Sequence, residues 1–404
     1  MNKRVLLAWE LGGGRGHAYI AGWVAQALKQ RGYEPILAVQ QLESLQSIQP
    51  DLDGVDYLQA PVWPGIINSG SYWSPGPAVT LGDAIAEFGL RSAPATRHMI
   101  RAWDRLLAFV KPIAVIADYA PGVLLAARGK IPTIAIGEGF TLPPSTMESF
   151  PPFKAHAEKP KYDESQLLHV VNQCLSESSG RTLAHLPEIF SADRSCVAAF
   201  DELDSYTDFR KQPNAGPWTP AWDRSAEKEE RELFGYLSIR SNIQAVIVKA
   251  LHDVVKDGIP VRVHMPQLSE EALALLGESG VIAERAPLPF AEIQRRARLV
   301  VSLGSFSFVS CALVAGIPQI VLPSSTPQQN AGNAIEKLGV GRSLEVNPQN
   351  PLEPALLAQA LVEAYRNEKI AERAKEVAPD FERRLEPRPE EVVAGLVEEL
   401  VGPA

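Results

Sequence analysis

The sequence predicts an α/β protein made of two doubly wound parallel-sheet domains, and three observations carry that prediction. Its 404 residues exceed the size at which one hydrophobic core stops growing. The N-terminal stretch reads strand, glycine turn, helix, strand. A second series of the same kind starts beyond a segment rich in proline and tryptophan.

The first strand is Val5 to Trp9, followed by the turn Gly12 to Gly16, a helix from His17 to Arg31 and a strand from Glu34 to Gln40. In that helix Ile20, Val24, Ala27 and Leu28 recur at helical spacing, and Gly32 stands where a left-handed C-cap belongs. From Gln59 to Gly82 the chain turns rich in Pro, Gly and Ser with the aromatics Trp63, Tyr72 and Trp73, the composition of a binding loop. The apolar run Ile113 to Ala117 ends at Asp118-Tyr119-Ala120-Pro121, a helix is expected from Gly122 to Arg128, and Thr133 to Ile136 forms the next strand, closed by Gly137-Glu138-Gly139.

Pro213 to Arg224 holds three prolines and two tryptophans, and the charged run Glu227 to Glu232 follows. The linker is placed there, giving a first domain over 1–216, a linker over 217–232, a second domain over 233–385 and a C-terminal helical segment over 386–404 that can pack on the first domain. The second series runs as strand Leu233 to Leu237, turn Ser238 to Asn242, helix Ile243 to Lys256 and strand Val261 to His264. It continues as strand Leu299 to Leu303, turn Gly304 to Ser307, helix Phe308 to Ala315 and strand Gln319 to Leu322. Both domains are therefore Rossmann-like.

Composition narrows the function. The balance of 39 basic against 48 acidic residues argues against binding nucleic acid by phosphate neutralisation. The start Met1-Asn2-Lys3-Arg4 runs straight into a strand, without the apolar stretch of a signal peptide, and no apolar run approaches the roughly 20 residues of a membrane helix. A cytoplasmic protein without a transmembrane segment is expected. Cys174, Cys196 and Cys311 are scattered and odd in number, so they read as buried thiols, not as disulfides or zinc ligands.

The motif Gly12-Gly13-Gly14-Arg15-Gly16-His17 fails as a dinucleotide fingerprint, because His17 takes the third small position and Gln40-Gln41 replaces the acidic residue that binds a ribose hydroxyl. It does present a histidine at a helix N-terminus on the carboxyl edge of a sheet. The helix dipole there disfavours the imidazolium, so a neutral His17 able to take a proton is expected. A helix cap or loop-packing residue is the other reading. Asp118, at the end of another parallel strand, lies on the same rim and can fix the imidazole tautomer, or cap the helix that follows. In the second domain Gly304-Ser305-Phe306-Ser307 and Ser238-Ile239-Arg240-Ser241-Asn242 open helices at strand ends, where a diphosphate is the natural ligand, although ordinary caps use the same residues. Ser324-Ser325-Thr326-Pro327-Gln328-Gln329-Asn330 reads as a polar loop whose amides can recognise sugar hydroxyls, or as a solvated loop.

These residues resemble the inverting nucleotide-sugar glycosyltransferases with a GT-B fold, both the bacterial natural-product and plant-type enzymes and their peptidoglycan-synthesising relative. The likeness rests on Gly16-His17, on Phe200-Asp201-Glu202-Leu203-Asp204 with Gly216-Pro217, and above all on Val300 through Ala312-Leu313-Val314-Ala315-Gly316-Ile317-Pro318-Gln319, Pro323, Gln328-Gln329, Asn333-Ala334 and Leu338-Gly339-Val340-Gly341. The resemblance implies a first domain for the acceptor and a second for a nucleotide diphosphate sugar, UDP-sugar foremost, reacting in the cleft between them without a metal or other cofactor. It implies His17 as general base supported by Asp118, the base-binding loop at Arg285-Ala286-Pro287-Leu288, and sugar contacts from Pro327-Gln328-Gln329. The donor set is then Ser238, Arg240, Arg285, Pro287, Leu288, Gly304, Ser305, Ser307, Gln328 and Gln329. The acceptor set is Gly14, Trp63, Trp73, Glu138 and Phe140, whose rings point to an apolar or aromatic acceptor, or else pack the loops on the core.

Two departures stand out. Leu303-Gly304-Ser305 replaces the family's His-Gly-Gly, and Pro327 stands where an acidic residue usually precedes Gln328. Arg240 with the hydroxyls of Ser305 and Ser307 is the expected substitute for the lost histidine. The missing histidine leaves a second reading, a catalytically silent GT-B auxiliary or binding protein, against which the retained Gly16-His17 and Asp118 weigh; a nucleotide-sugar epimerase, which shares the architecture, is a third, and needs acid-base groups that do not cluster here.

Overall fold

The computed structural model describes residues 3–70, 78–153, 159–178, 181–225, 228–229, 231–238, 243–345 and 353–404. The chain divides into two compact units. The first comprises residues 1–199, 206–216 and 387–404, and the second residues 200–205 and 217–386.

The first unit holds β1 (Arg4–Trp9), β2 (Glu34–Val39), β3 (Asp56–Gln59), β4 (Ala114–Asp118), β5 (Thr133–Gly137) and β6 (Arg194–Val197), in the order β3-β2-β1-β4-β5-β6. Every pairing is parallel. All of β4 and β5 is buried, as continuous apolar runs covered on both faces must be. The covering helix Ala93–Val110, which the sequence pattern did not reveal, turns Thr96, Met99, Ile100, Trp103, Leu107 and Val110 inward at helical spacing, with Ser92 accepting from the Ala95 amide at its start. The C-terminal helix Pro389–Val401 packs in this unit through Pro389, Val393, Ala394 and Val397, and Arg31 reaches Glu391 and Glu398 across that contact.

The second unit repeats the plan with β7 (Glu232–Tyr236), β8 (Val261–His264), β9 (Ile282–Glu284), β10 (Ala297–Ser302), β11 (Gln319–Val321) and β12 (Gly341–Ser343), ordered β12-β11-β10-β7-β8-β9, again all parallel. Much of the segment expected as a linker is part of this body: the Trp222 indole N–H donates to Gln294 Oε1, its ring meets Phe290 at 4.9 Å, and Arg224 pairs with Glu382 at 2.7 Å. An indole that size joins a core when apolar surface is at hand to bury it.

In each sheet the winding direction reverses between two adjacent central strands, β1 and β4 in the first unit, β7 and β10 in the second. Open α/β sheets bind ligands outside the carboxyl ends of such strands. In the first unit that point is set by Trp9, paired in register with Asp118, and in the second by Tyr236, paired with Ser302.

Candidate active site

His17 is the third residue of the helix Arg15–Gln30, whose N-cap, Gly14, offers no side chain. The imidazole does not cap the helix. Its Nδ1 lies 2.7 Å from Asp118 Oδ2, a contact spanning 101 residues, and both groups are buried. Trp9 stacks on the ring at 4.9 Å with planes 20° apart, so β1 supplies one wall and β4 the carboxylate. The chain turns sharply after Asp118, with Tyr119 at φ 45°, and the Tyr119 carbonyl accepts from the Leu11 amide at 3.1 Å. A non-glycine residue held there stores about 1–3 kcal/mol of strain, the kind of cost that persists where surrounding contacts over-determine a site.

The glycine turn explains itself against His17. Gly12 has φ +77°, and a Cβ added to it would stand 2.6 Å from His17 Nε2. Gln40 Nε2 donates to the Gly12 carbonyl at 3.0 Å, and the Gly14 amide donates to Gln41 Oε1 at 3.4 Å. The two glutamines that replace a ribose-binding acid thus anchor the turn. Gly12→Ala is expected to push the imidazole off Asp118 and to destabilise the protein by about 1–3 kcal/mol through the left-handed backbone, read by denaturant unfolding; unchanged stability would contradict this packing.

Glu138 follows β5 directly, two residues beyond Ile136, the register partner of Asp118. Burial pushes its carboxyl up to about 7, the His17 charge pulling it down and Asp118 pushing it up. Burial of the His17 ring lowers its pKa, but the charge and hydrogen bond of Asp118, joined by the charge of Glu138, outweigh burial and raise it above the ordinary histidine value. The helix dipole is therefore not the strongest influence on the ring: Asp118 and Glu138 favour its protonated form more than a dipole confined to one helix turn disfavours it.

Two expected acceptor contacts belong to the core instead. Trp63 is 1% exposed, and its indole N–H donates to Glu10 Oε2 at 2.9 Å. Phe140 is buried against Phe153 at 5.4 Å. Neither ring has a free face for stacking. Trp73 lies outside the described residues.

At the carboxyl edge of the second sheet, the Gly304 amide donates to Ser302 Oγ at 3.1 Å, and the helix Phe306–Ala315 starts at Ser305, whose exposed side chain makes no capping bond. Ser307 lies in the first turn. Leu303 is partly buried against the apolar cluster of that sheet, which a leucine satisfies and a phosphate-binding histidine would not. The stretch read as a polar loop is instead the start of the helix Thr326–Leu338, with Pro327 in the first turn where no amide partner is needed. Gln328 Oε1 accepts from the Ser324 amide and hydroxyl at 2.8 and 2.9 Å, and Gln329 Nε2 donates to Asn333 and Ser343. Both amides are engaged within the unit. Ser238 accepts from Gln267 at 2.7 Å; Arg240 lies outside the described residues. Arg285 and Pro287 are exposed, Arg285 paired with Glu270 at 2.9 Å, while Leu288 packs against the buried cluster that includes Phe234, Phe290 and Phe308.

Sequence reasoning missed Trp9, Glu10 and the anchoring role of Gln40 and Gln41. A signal existed: all four follow or end a strand at the rim that carries His17.

The paired six-stranded sheets, each reversing at its centre, define a two-domain α/β protein with the GT-B fold of glycosyltransferases. Over nearly the whole chain the fold is similar to solved natural-product glycosyltransferases. The calicheamicin glycosyltransferase CalG4 superposes with a TM-score of 0.71 at 17% identity, covering 99% of this chain and 98% of that one. The kitacinnamycin glycotransferase gives 0.69 at 15% (98% and 99% covered), and the glycosyltransferase VinC, solved in complex with DTDP, 0.68 at 16% (98% and 99%). Residues 247–399 match the family model described as the erythromycin biosynthesis protein CIII-like C-terminal domain. An uncharacterized UDP-glucosyltransferase, YojK of Bacillus subtilis strain 168, is 31% identical over 93 residues, 23% of this chain and 22% of that protein's length. No helix among the described residues is long and apolar enough to cross a membrane.

Proposed function

We propose that the chain is an inverting glycosyltransferase that moves a sugar from a nucleotide diphosphate sugar to an acceptor hydroxyl, with His17 as general base. The single observation that carries this reading is the buried His17 to Asp118 contact at the reversal point of the first sheet. The fold likeness supports it.

With Nδ1–H donated to Asp118, the lone pair of the ring falls on Nε2, beside the Gly12 turn. Nε2 takes the proton of the acceptor hydroxyl while that oxygen bonds to the anomeric carbon. The bond from that carbon to the diphosphate oxygen breaks, and its electron pair leaves with the nucleoside diphosphate. Asp118 stabilises the imidazolium that results. In the second unit the open amides at the start of the helix Phe306–Ala315, with the hydroxyls of Ser305 and Ser307, suit the charge that develops on the departing diphosphate. A leaving group held by protein donors requires no metal ion.

The test is incubation with UDP- and TDP-sugars, with and without a panel of hydroxylated aromatic and aliphatic acceptors. Release of nucleoside diphosphate accelerated by an acceptor, with inverted anomeric configuration in the product, is expected. Binding without turnover for every donor would favour a silent auxiliary role, to which Leu303 points. Epimerised sugar nucleotide would favour an epimerase.

A further inference from the structure

The first unit gives His17 more carboxylate than a two-residue pair requires. Asp118 comes from the end of β4 and Glu138 from the turn after β5, the next strand in the sheet, so the two acids emerge side by side at the rim where His17 sits. Their situations differ. Asp118 is buried and bonded to Nδ1 through Oδ2. The Glu138 side chain is partly exposed and makes no hydrogen bond among the described residues, although its charge acts on both His17 and Asp118.

The backbone of Glu138 is nonetheless fixed. Its amide donates to Thr141 Oγ1 at 3.0 Å, and its carbonyl accepts from the amides of Thr141 and Leu142 at 3.1 and 3.2 Å. Thr141 is buried, and Arg210 holds the next carbonyl, Gly139, at 3.1 Å. A turn fixed by backbone hydrogen bonds thus holds Glu138 on the rim that carries His17, and its charge couples to the imidazole.

We propose that Glu138 is a positioning residue that acts through His17: Asp118 fixes the orientation of the ring by a hydrogen bond, and Glu138, a second charge without a bond of its own, stabilises the imidazolium formed on proton transfer. The catalytic part of this inference rests on the general-base reading of His17; the electrostatic part does not. The other groups around the ring leave this role to Glu138. Trp9 is uncharged, burial pushes the Tyr119 hydroxyl up so that it stays neutral, Glu10 is turned onto the Gly122 and Val123 amides, and Arg15, on the same helix as His17, is exposed.

The electrostatic part is tested in the free protein by NMR titration of the His17 imidazole in the parent, Glu138→Gln and Glu138→Asp. Removing the charge is expected to lower the His17 midpoint by roughly one pH unit, and Glu138→Asp to restore most of it. An unchanged midpoint in a folded Glu138→Gln protein would overturn the proposal. The midpoint falling with Glu138→Gln and not recovering with Glu138→Asp would overturn it too, because charge would then not be the cause. Once a donor and acceptor pair is found, the acid limb of kcat/KM is expected to move to lower pH with Glu138→Gln, in step with the NMR midpoint. A moved midpoint with an unmoved acid limb would leave the charge pair standing and remove His17 as the base.

Discussion

His17→Ala is expected to lower turnover by about a hundredfold or more, with donor binding nearly unchanged. The magnitude is that of removing a positioned general base, and the geometry makes it specific. The ring is held on one side by Asp118 at 2.7 Å and on one face by Trp9, which fixes where Nε2 stands. His17→Gln is the sharper variant: it keeps a polar side chain but has no basic nitrogen, and its turnover is expected to match that of alanine. Steady-state rates and calorimetric donor affinity separate the cases. Turnover within a few-fold of the parent in both variants would remove His17 from the chemistry. A base must be deprotonated, so activity is expected to rise with pH through the His17 midpoint, and the raised His17 pKa moves that rise upward from the ordinary histidine range.

Glu10→Ala is expected to destabilise the protein by about 3 kcal/mol at about pH 6. Glu10 is wholly buried at the end of β1, and three donors converge on it: the Trp63 indole and the Gly122 amide on Oε2, both at 2.9 Å, and the Val123 amide on Oε1 at 2.6 Å. Alanine leaves all three without a partner. The approach is close enough that a Cβ on Gly122 would stand 2.7 Å from Oε2. Burial nevertheless raises the Glu10 carboxyl to about 7, more than those hydrogen bonds lower it. A carboxyl whose folded pKa lies above its unfolded value binds more protons in the native state. Stability is therefore expected to fall as pH rises from the ordinary carboxylate range through about 7. Glu138 adds to the same slope, since burial also pushes it up to about 7. Thermal melts across that range should show the decline, and Glu10→Ala should flatten part of it. A melting temperature that rises with pH in the parent would contradict the burial argument.

The legibility of the chain followed the strength of local signals. The central strands β1, β4, β5, β7 and β10 are apolar runs with turns behind them, and their positions were readable to within two residues. The edge strands β3, β6, β9 and β12 are short and largely polar or exposed, so no apolar run marks them and they escaped notice, whereas the equally short interior strands β8 and β11 are largely buried and were read. Pro327 misled, because a proline in a polar stretch marks a loop as readily as the first turn of a helix. Trp63 misled because loop composition says nothing of which way an indole faces.

From sequence alone came the doubled α/β plan, the histidine at the first glycine turn and an aspartate on the same rim. Strand and helix periods are local, so a short window contains them. The tertiary structure decided which groups meet. Asp118 reaches His17 because β1 and β4 pair with Trp9 opposite Asp118, and a slip of one residue would turn the carboxylate to the other face. The β4 to β5 pairing brings Glu138 to the same rim, while Glu10 turns onto the Gly122 and Val123 amides; no short window of sequence holds the His17 and Glu10 partners, because they lie about a hundred residues away in the chain.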